Sequence, residues 1–551
     1  MKSIKLNLED GRKIEVNEGI TFKEIIDKYY KGKEDIVLCD LNGVYYELFK
    51  KVSDDGDVKA IYASTEEGFK VYSRTLQYIF IKAALDIFEN AKIKIEHSIS
   101  KGIFGEIVKE PKLSKEDVEK IKEKMKKIID EDIEIKKIKI SKEKAMEIFK
   151  SYGMNDKIRL LSQMDFENVD LYELDGRYDY FYGPMAYSTG IIKAFDLVKY
   201  EHGFILRNPA KENLNVLPEF KEEKELANIF YETKRWLDIL EIGDVGSLNK
   251  KVTDGQLKDI ILISEALHEK KIAYIADSIT EREDVKIVLI AGPSSSGKTT
   301  FANRLGIQLR VNGKIPLRIS LDDYFLNRDS TPRDENGELD FESINALDLK
   351  LFNQNLKELL EGKEVEIPCY NFKKGIREWL GHTMKLPENG VVVIEGIHGL
   401  NPILTEKIDD KNKFKIYISA LTQLNLDNHN RIATTDVRKI RRIVRDYLSR
   451  GYDAEETLKM WDSIKRGEKK NIFVYQGEAD AMFNSTLVYE LCVLKSYAIK
   501  ELDKIKPDSP VYNEAVRLKS FLYFFKEIEF TDVLENSILR EFIGGSCFYK
   551  Y

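Results

Sequence analysis

The stretch Ala291–Thr300 reads AGPSSSGKTT, one lysine and two threonines closing a glycine-bounded loop. This is the GxxxxGK[ST] spacing, and each fixed position has a physical task. Gly292 and Gly297 let the backbone N–H groups of Ser294, Ser295, Ser296 and Gly297 close on phosphate oxygens, and Thr300 extends that cradle into the following helix. Lys298 reaches the β- and γ-phosphates, and the Thr299 hydroxyl suits Mg²⁺. Two acidic sites decide what is done with the phosphate. Asp322-Asp323 follows PLRIS, and Glu395 follows VVVI. One such acid can organise Mg²⁺ while another accepts a proton from an attacking hydroxyl. Further on, Arg438, Arg441, Arg442 and Arg445 fall on one helical face, where like charges repel unless an anion lies against them. Planar guanidinium groups suit phosphate, so this face is predicted to be a lid over the transferring group. A guanine-recognition NKxD motif is missing, because Asn249-Lys250-Lys251-Val252 breaks it. The pattern predicts phosphoryl transfer from ATP to a hydroxyl of a small molecule.

The elements that must hold these groups are legible around them. KIVLI (286–290) is predicted to be a strand entering the loop, and FANRLGIQL the helix leaving it. Residues 316–320 and 391–394 read as further strands of a parallel sheet, whose carboxyl ends gather ligands. Near the start, IKLNL and KIEV alternate around Glu9-Asp10-Gly11, a hairpin signal. Thr21 and Glu24 form a capping box, and helices are predicted from Thr65 and from Ser114. The Lys-rich surface after Ser114 is interspersed with acids and reads as a solvated helix face. Residues 229–284 read as a helical linker, with a helix around Gln256–Ile279.

A chain of 551 residues is too long for one core. Its charged residues make up 33% and its net charge is −7, so an anionic ligand must be held by local basic groups rather than by a basic surface. Four separated cysteines show no CxxC spacing and fit a reducing cytoplasm. There is no apolar run of membrane-spanning length and no signal-peptide core at the start.

The segments GPSSSGKTT, ISLDDYF, DFESINALD, IPCYNFKKGIR, VVVIEGIHGLN, TTDVRKIRRIVRD and EADAMFNSTLVYEL resemble, in order, the uridine kinase and phosphoribulokinase family of P-loop kinases. That resemblance implies Asp322 as catalytic base beside Lys298, and Glu395 with Thr299 as the Mg²⁺ ligands. It also implies Glu342 on the sugar hydroxyls, and Tyr370, Phe372 and Arg377 around the acceptor. Uridine kinases usually place a His shortly after these aromatics, where this chain has Gly375. Residues 1–62 resemble the TGS module at the start of threonyl-tRNA synthetases, and 63–228 resemble the editing domain that follows it there. The pieces that carry this likeness are VYSRTLQYIFIKA, IKIEHSISKGIFGEI, LSKEDVEKIKEKMKKII and FYGPMAYSTGIIKAF. The two histidines, the cysteine and the later histidine of that editing site are here Tyr72, Leu76, Phe181 and Met185. None is a good metal ligand or a base able to hydrolyse an ester. No class II aminoacylation domain has room in the chain.

The expected architecture is therefore multidomain: an α+β ubiquitin-like module, an α+β editing-like domain, the linker, and an α/β P-loop kinase unit at 285–551 with an extension at its end. The expected function is an ATP- and Mg²⁺-dependent kinase acting on the 5′-hydroxyl of a nucleoside. A sugar or sugar phosphate is the alternative acceptor. The rival from another class is an RNA-associated regulatory protein, binding tRNA through its N-terminal modules and sensing ATP. Cytoplasmic localisation and a capacity to oligomerise complete the expectation. Of two histidines singled out, His97 reads as structural, and His398, three residues after Glu395, as the better functional candidate.

Overall fold

The computed structural model describes residues 3–334, 337–422 and 424–549. The first unit is a five-stranded sheet with its helix. Ser3–Leu8 turns back into Lys13–Asn17 and pairs on its other side, in parallel, with Gly56–Tyr62; Ile36–Leu41 and Val44–Glu47 complete the sheet. Strict alternation of buried and exposed residues along Ser3–Leu8 puts Ile4, Leu6 and Leu8 against the helix Phe22–Tyr29. Thr21 and Glu24 cap that helix reciprocally, as the sequence predicts.

The second unit is built around Glu66–Ile87, a helix buried along most of its length. An antiparallel sheet of Asp196–Tyr200, Gly203–Arg207, Gly102–Val108 and Lys92–Ile99 packs on it. The predicted helix at Ser114 spans Lys115–Asp130 with its capping box formed. A smaller sheet of Arg177–Asp179, Asn168–Leu174 and Lys136–Ser141 lies beside it.

In the third unit five parallel strands stand in the order Ile315–Ser320, Gly390–Glu395, Ile287–Ala291, Lys413–Ser419, Ala481–Asn484. The central strands are apolar on both faces, the pattern of a parallel sheet covered by helices. One of those covering layers corrects the expected boundary at 285. Residues 229–284 are no free connector. The helices Lys224–Leu240, Val245–Thr253 and Leu257–Thr280 send Leu240, Leu248, Ile272 and Ile279 into the same core as Ile290 and Phe301. Arg304, on the helix after the phosphate loop, is buried between Glu265 and Glu269 of the last of these helices. The P-loop core is thus not self-contained from residue 285.

Candidate functional site

The strand Ile287–Ala291 delivers the loop to the start of the helix Lys298–Val311. Within the loop, Ser295 and Gly297 take left-handed backbone angles, φ +60° and +83°. Two such residues turn successive N–H groups toward one point, a concavity that favours an anion. Lys298 is half-buried against its own loop, with Nζ 3.2 Å from the Pro293 carbonyl. Burial lowers its pKa, while Glu395, Asp322 and Glu541 pull the other way.

The acids sit where parallel-sheet topology sends them. Glu395 ends its strand, and its Oε1 accepts from the Thr299 hydroxyl at 3.2 Å and the Ser320 hydroxyl at 3.0 Å. Burial, then the neighbouring Asp322 charge, pushes its pKa up to about 7. Asp323 is a different case. It accepts from the Tyr370 backbone N–H at 3.1 Å, and burial raises its pKa to about 6. Of the adjacent pair, Asp322 is the one whose charge reaches Lys298, Glu395 and Arg450. The Thr299 hydroxyl and the Glu395 carboxylate stand together as hard-oxygen donors, a chemistry that suits a divalent cation such as Mg²⁺.

The four arginines share the buried helix Thr434–Arg445, from which Arg438, Arg441 and Arg442 reach the loop, but not as a bare cationic lid. Arg438 donates to the Ser294 carbonyl and pairs with Glu468. Arg441, fully buried, donates to the Ser295 and Ser485 carbonyls and pairs with Glu490 at 2.6 Å. Arg442 donates to the Ser294 hydroxyl and to Asp446, which also binds Arg445. The anion that the like charges require is in large part supplied by Glu468, Glu490 and Asp446. Glu468 was not legible as a site residue, yet it also accepts the Ser294 N–H at 3.0 Å, inside the cradle.

Beyond this stand further aromatic and acidic groups named by the sequence. Glu342 lies against Gly467, and burial with the nearby Glu468 raises its pKa to about 7. Its Oε2 and the Tyr370 hydroxyl are buried without hydrogen-bond partners. Phe372 meets Tyr370 edge-on at 5.1 Å and carries the Arg450 guanidinium over its ring at 4.8 Å. Arg377 points elsewhere, pairing with Asp348 at 3.0 Å. Gly375 has φ +69°, and a Cβ there would lie 2.8 Å from the Arg328 Nε. Arg328 holds this turn by donating its backbone N–H to the Gly375 carbonyl and its guanidinium to the Phe372 carbonyl. The expected histidine is therefore replaced by a tight turn beside a guanidinium group. Arg328 and Arg450 lay hidden from a sequence reading because only the turn brings them to the aromatics. His398 is buried beside the Ser343 backbone, and burial lowers its imidazole pKa to about 4. His97 stacks on Phe230 at 3.4 Å as a packing residue.

In the editing-like unit the four positions singled out in the sequence are packed into the core. Tyr72, Leu76, Phe181 and Met185 are all buried, with the Tyr72 hydroxyl donating to the Ala194 carbonyl. Beside them docks a loop of the third unit, residues 425–431. Lys157 lies 3.0 Å from Asp179 and 2.9 Å from Asp427, and His429 Nδ1 lies 2.7 Å from the other Asp179 oxygen. Gln77 donates to the His429 carbonyl, Asn430 to the Tyr180 carbonyl, and the Tyr182 hydroxyl to the Arg431 carbonyl. Asp179 and Asp427 are completely buried and Lys157 nearly so.

Comparison with known proteins divides the chain in the same way. Residues 287–489 match the Phosphoribulokinase / Uridine kinase family. The N-terminal region is similar to threonine–tRNA ligases. That of Caldanaerobacter subterraneus subsp. tengcongensis is 32% identical over 200 residues, 36% of this chain and 31% of that one. That of Oceanobacillus iheyensis is 28% identical over 242 residues, 40% of this chain and 38% of that one. The chain thus spans about a third of the length of these relatives. Among solved structures, a possible uridine kinase from Bacillus stearothermophilus aligns at 19% identity and TM-score 0.26, covering 38% of this chain and 97% of that one. D-glycerate 3-kinase from Cryptococcus neoformans aligns at 15% identity and TM-score 0.24, covering 46% and 87%. Among the described residues no helix is long and apolar enough to cross a membrane.

Proposed function

We propose that this chain is an ATP-dependent kinase that phosphorylates a hydroxyl of a small sugar-containing acceptor, with the 5′-hydroxyl of a nucleoside as the preferred substrate. The observation that carries the reading is the placement of Lys298, Asp322 and Glu395. Asp322 and Glu395 lie at the ends of two neighbouring parallel strands, and Lys298 opens the helix fed by the third. The charge of Lys298 reaches Glu342, whose Oε2 is buried without a hydrogen-bond partner, as is the Tyr370 hydroxyl. Such buried, unpaired polar groups are costly unless a ligand completes them.

In this reading Asp322 takes the proton of the acceptor hydroxyl as its oxygen bonds to the γ-phosphorus and the bond to the β-phosphate oxygen breaks, leaving ADP. Lys298 stabilises charge on the transferring group, and Arg442, tied to the Ser294 hydroxyl of the loop, adds positive charge beside it. Thr299 and Glu395 would hold Mg²⁺, which neutralises charge on the β- and γ-phosphates when bound. Glu342 and the Tyr370 hydroxyl supply the acceptor's hydrogen-bond partners, and the rim of Phe372 packs on it. With Gly375 in place of an imidazole, the base edge is read weakly, so uridine and cytidine are both accepted.

One observation favours a second acceptor class. Arg450 covers a face of Phe372, and Arg328 stands beside the turn at Gly375, so two guanidinium groups border the aromatic groups. That arrangement suits a sugar phosphate as well as a base. A panel of nucleosides, sugars and sugar phosphates, followed by ADP release, separates the two. Stimulation by uridine and cytidine supports the first reading, and stimulation by sugar phosphates alone overturns it in favour of the second.

A further inference from the structure

The deepest donors of the phosphate cradle belong to Thr300, two residues past Lys298 and so remote from the β/γ end that the lysine reaches. They already hold an anion, and it is the protein's own. Glu541 Oε2 accepts the Thr300 backbone N–H at 3.1 Å and the Thr300 hydroxyl at 3.0 Å. The same hydroxyl lies 2.7 Å from the Tyr549 hydroxyl. Thr300 is completely buried and Glu541 is 7% exposed. No cation pairs with this carboxylate within 4 Å among the described residues; it rests on neutral donors at a helix N-terminus, the setting that otherwise receives phosphate.

The segment that brings Glu541 is built for the place. Ile538 lies against Gly297, where a Cβ would come within 2.5 Å of its Cγ2. Phe542 packs under the Arg441 guanidinium at 5.0 Å. Arg540 ties the segment to itself through the Val533, Phe530 and Gly544 carbonyls. After it, Gly544 and Gly545, both at positive φ, turn the chain so that Tyr549 returns to Thr300.

We propose that Glu541 is a determinant of donor affinity: its carboxylate occupies the α-phosphate position of the cradle and must leave Thr300 before a nucleoside triphosphate can seat fully. This rests on the reading of the phosphate loop as the donor site. Two anions cannot share the Thr300 donors, because the second would meet the charge of the first in a dry site. The β/γ end, at Lys298 and Thr299, stays accessible to a shorter ligand. Glu541 thus discriminates between nucleotides and short inorganic phosphates. A segment in place nine-tenths of the time weakens apparent nucleotide affinity about tenfold.

The test is calorimetric titration of the full-length protein, as wild type, Glu541→Ala and Glu541→Gln, with ATP and separately with pyrophosphate. We expect ATP to bind about tenfold more tightly to Glu541→Ala, with pyrophosphate gaining less than about threefold. Glu541→Gln keeps the side-chain shape without its charge, and should shift ATP the same way by a smaller factor. Amide exchange over residues 537–549 should quicken when ATP is added to the wild type. Unchanged or weaker ATP binding in both variants would overturn the proposal. So would an equal gain for ATP and pyrophosphate, which would mark a general charge effect. If neither ligand bound any of the three proteins, the donor-site reading itself would fall.

Discussion

Two regions of the molecule are each entered by a distant part of its own chain. In the editing-like unit, residues 425–431 bring Asp427 and His429 to Lys157 and Asp179, and the four groups pair with one another. In the P-loop unit, Glu468 and Glu541 enter the cradle, yet Ser295, Ser296, Glu342 and Tyr370 keep buried oxygens with no partner. The difference separates a joint from a site. Asn425 Oδ1 and Arg431 Nε of the docked loop also lack partners. What marks the joint is that its central charges close on one another, whereas in the site a carboxylate oxygen and a phenol stay incomplete where a ligand could finish them. The pairing at Lys157 and Asp179 thus anchors the loop that leads, within a few residues, into the arginine helix Thr434–Arg445.

Substitutions that act on one region and spare the other would test this contrast. The largest effect is expected from Lys157→Met, which leaves Asp179 and Asp427 buried with one cation fewer. Breaking such a pair costs about 3–5 kcal/mol, to be read as a lower unfolding midpoint in denaturant. An unchanged midpoint would show that the first region is not a joint. Next, Asp322→Asn should lower turnover about a hundredfold or more while ATP affinity and unfolding midpoint stay near wild type. Turnover near the wild-type rate would remove Asp322 from the chemistry and blur the distinction.

Gly375→His is expected to cost about 1–3 kcal/mol, since a non-glycine side chain at φ +69° is strained and meets Arg328. It should not create preference for one base. A variant that folds as well as wild type and discriminates uridine from cytidine would contradict the role given to this turn. The smallest effect concerns protons. Burial raises the carboxyl groups of Glu395 and Glu342 to about 7, above their unfolded values. Their contribution to stability is therefore present below the unfolded carboxylate range and lost as pH rises through about 7. Binding of Mg²⁺ and nucleotide favours the ionised form of Glu395, so at pH 7 it should release a fraction of a proton. Calorimetry in buffers of different ionisation enthalpy reads this directly. Proton uptake would contradict it.

Local signals made much of this legible from the sequence. The strand, loop and helix around Lys298 follow from contiguous residues, as do the capping boxes at Thr21 and Ser114. The arginine spacing gave the helical face correctly but not its partners. Glu468 reaches Ser294 across more than 170 positions, and Glu541 reaches Thr300 across 241, with no periodicity linking them. The helix Leu257–Thr280 did carry a signal that a linker reading passes over. Ile261, Ile272, Ile275 and Ile279 recur at helical spacing, the mark of a face that needs a core. Gly375 was visible as a departure, but its cause, a left-handed turn against Arg328, exists only in three dimensions.

The docked loop also bears on how the chain is made. Synthesis proceeds from the N-terminus, so Lys157 and Asp179 leave the ribosome long before Asp427 and His429, whose sequence separation from them exceeds 240 positions. At the usual pace of translation that interval is on the order of ten seconds or more. The contacts that join Lys157 and Asp179 to Asp427 and His429 can form only after that interval, so this part of the packing is completed late in synthesis.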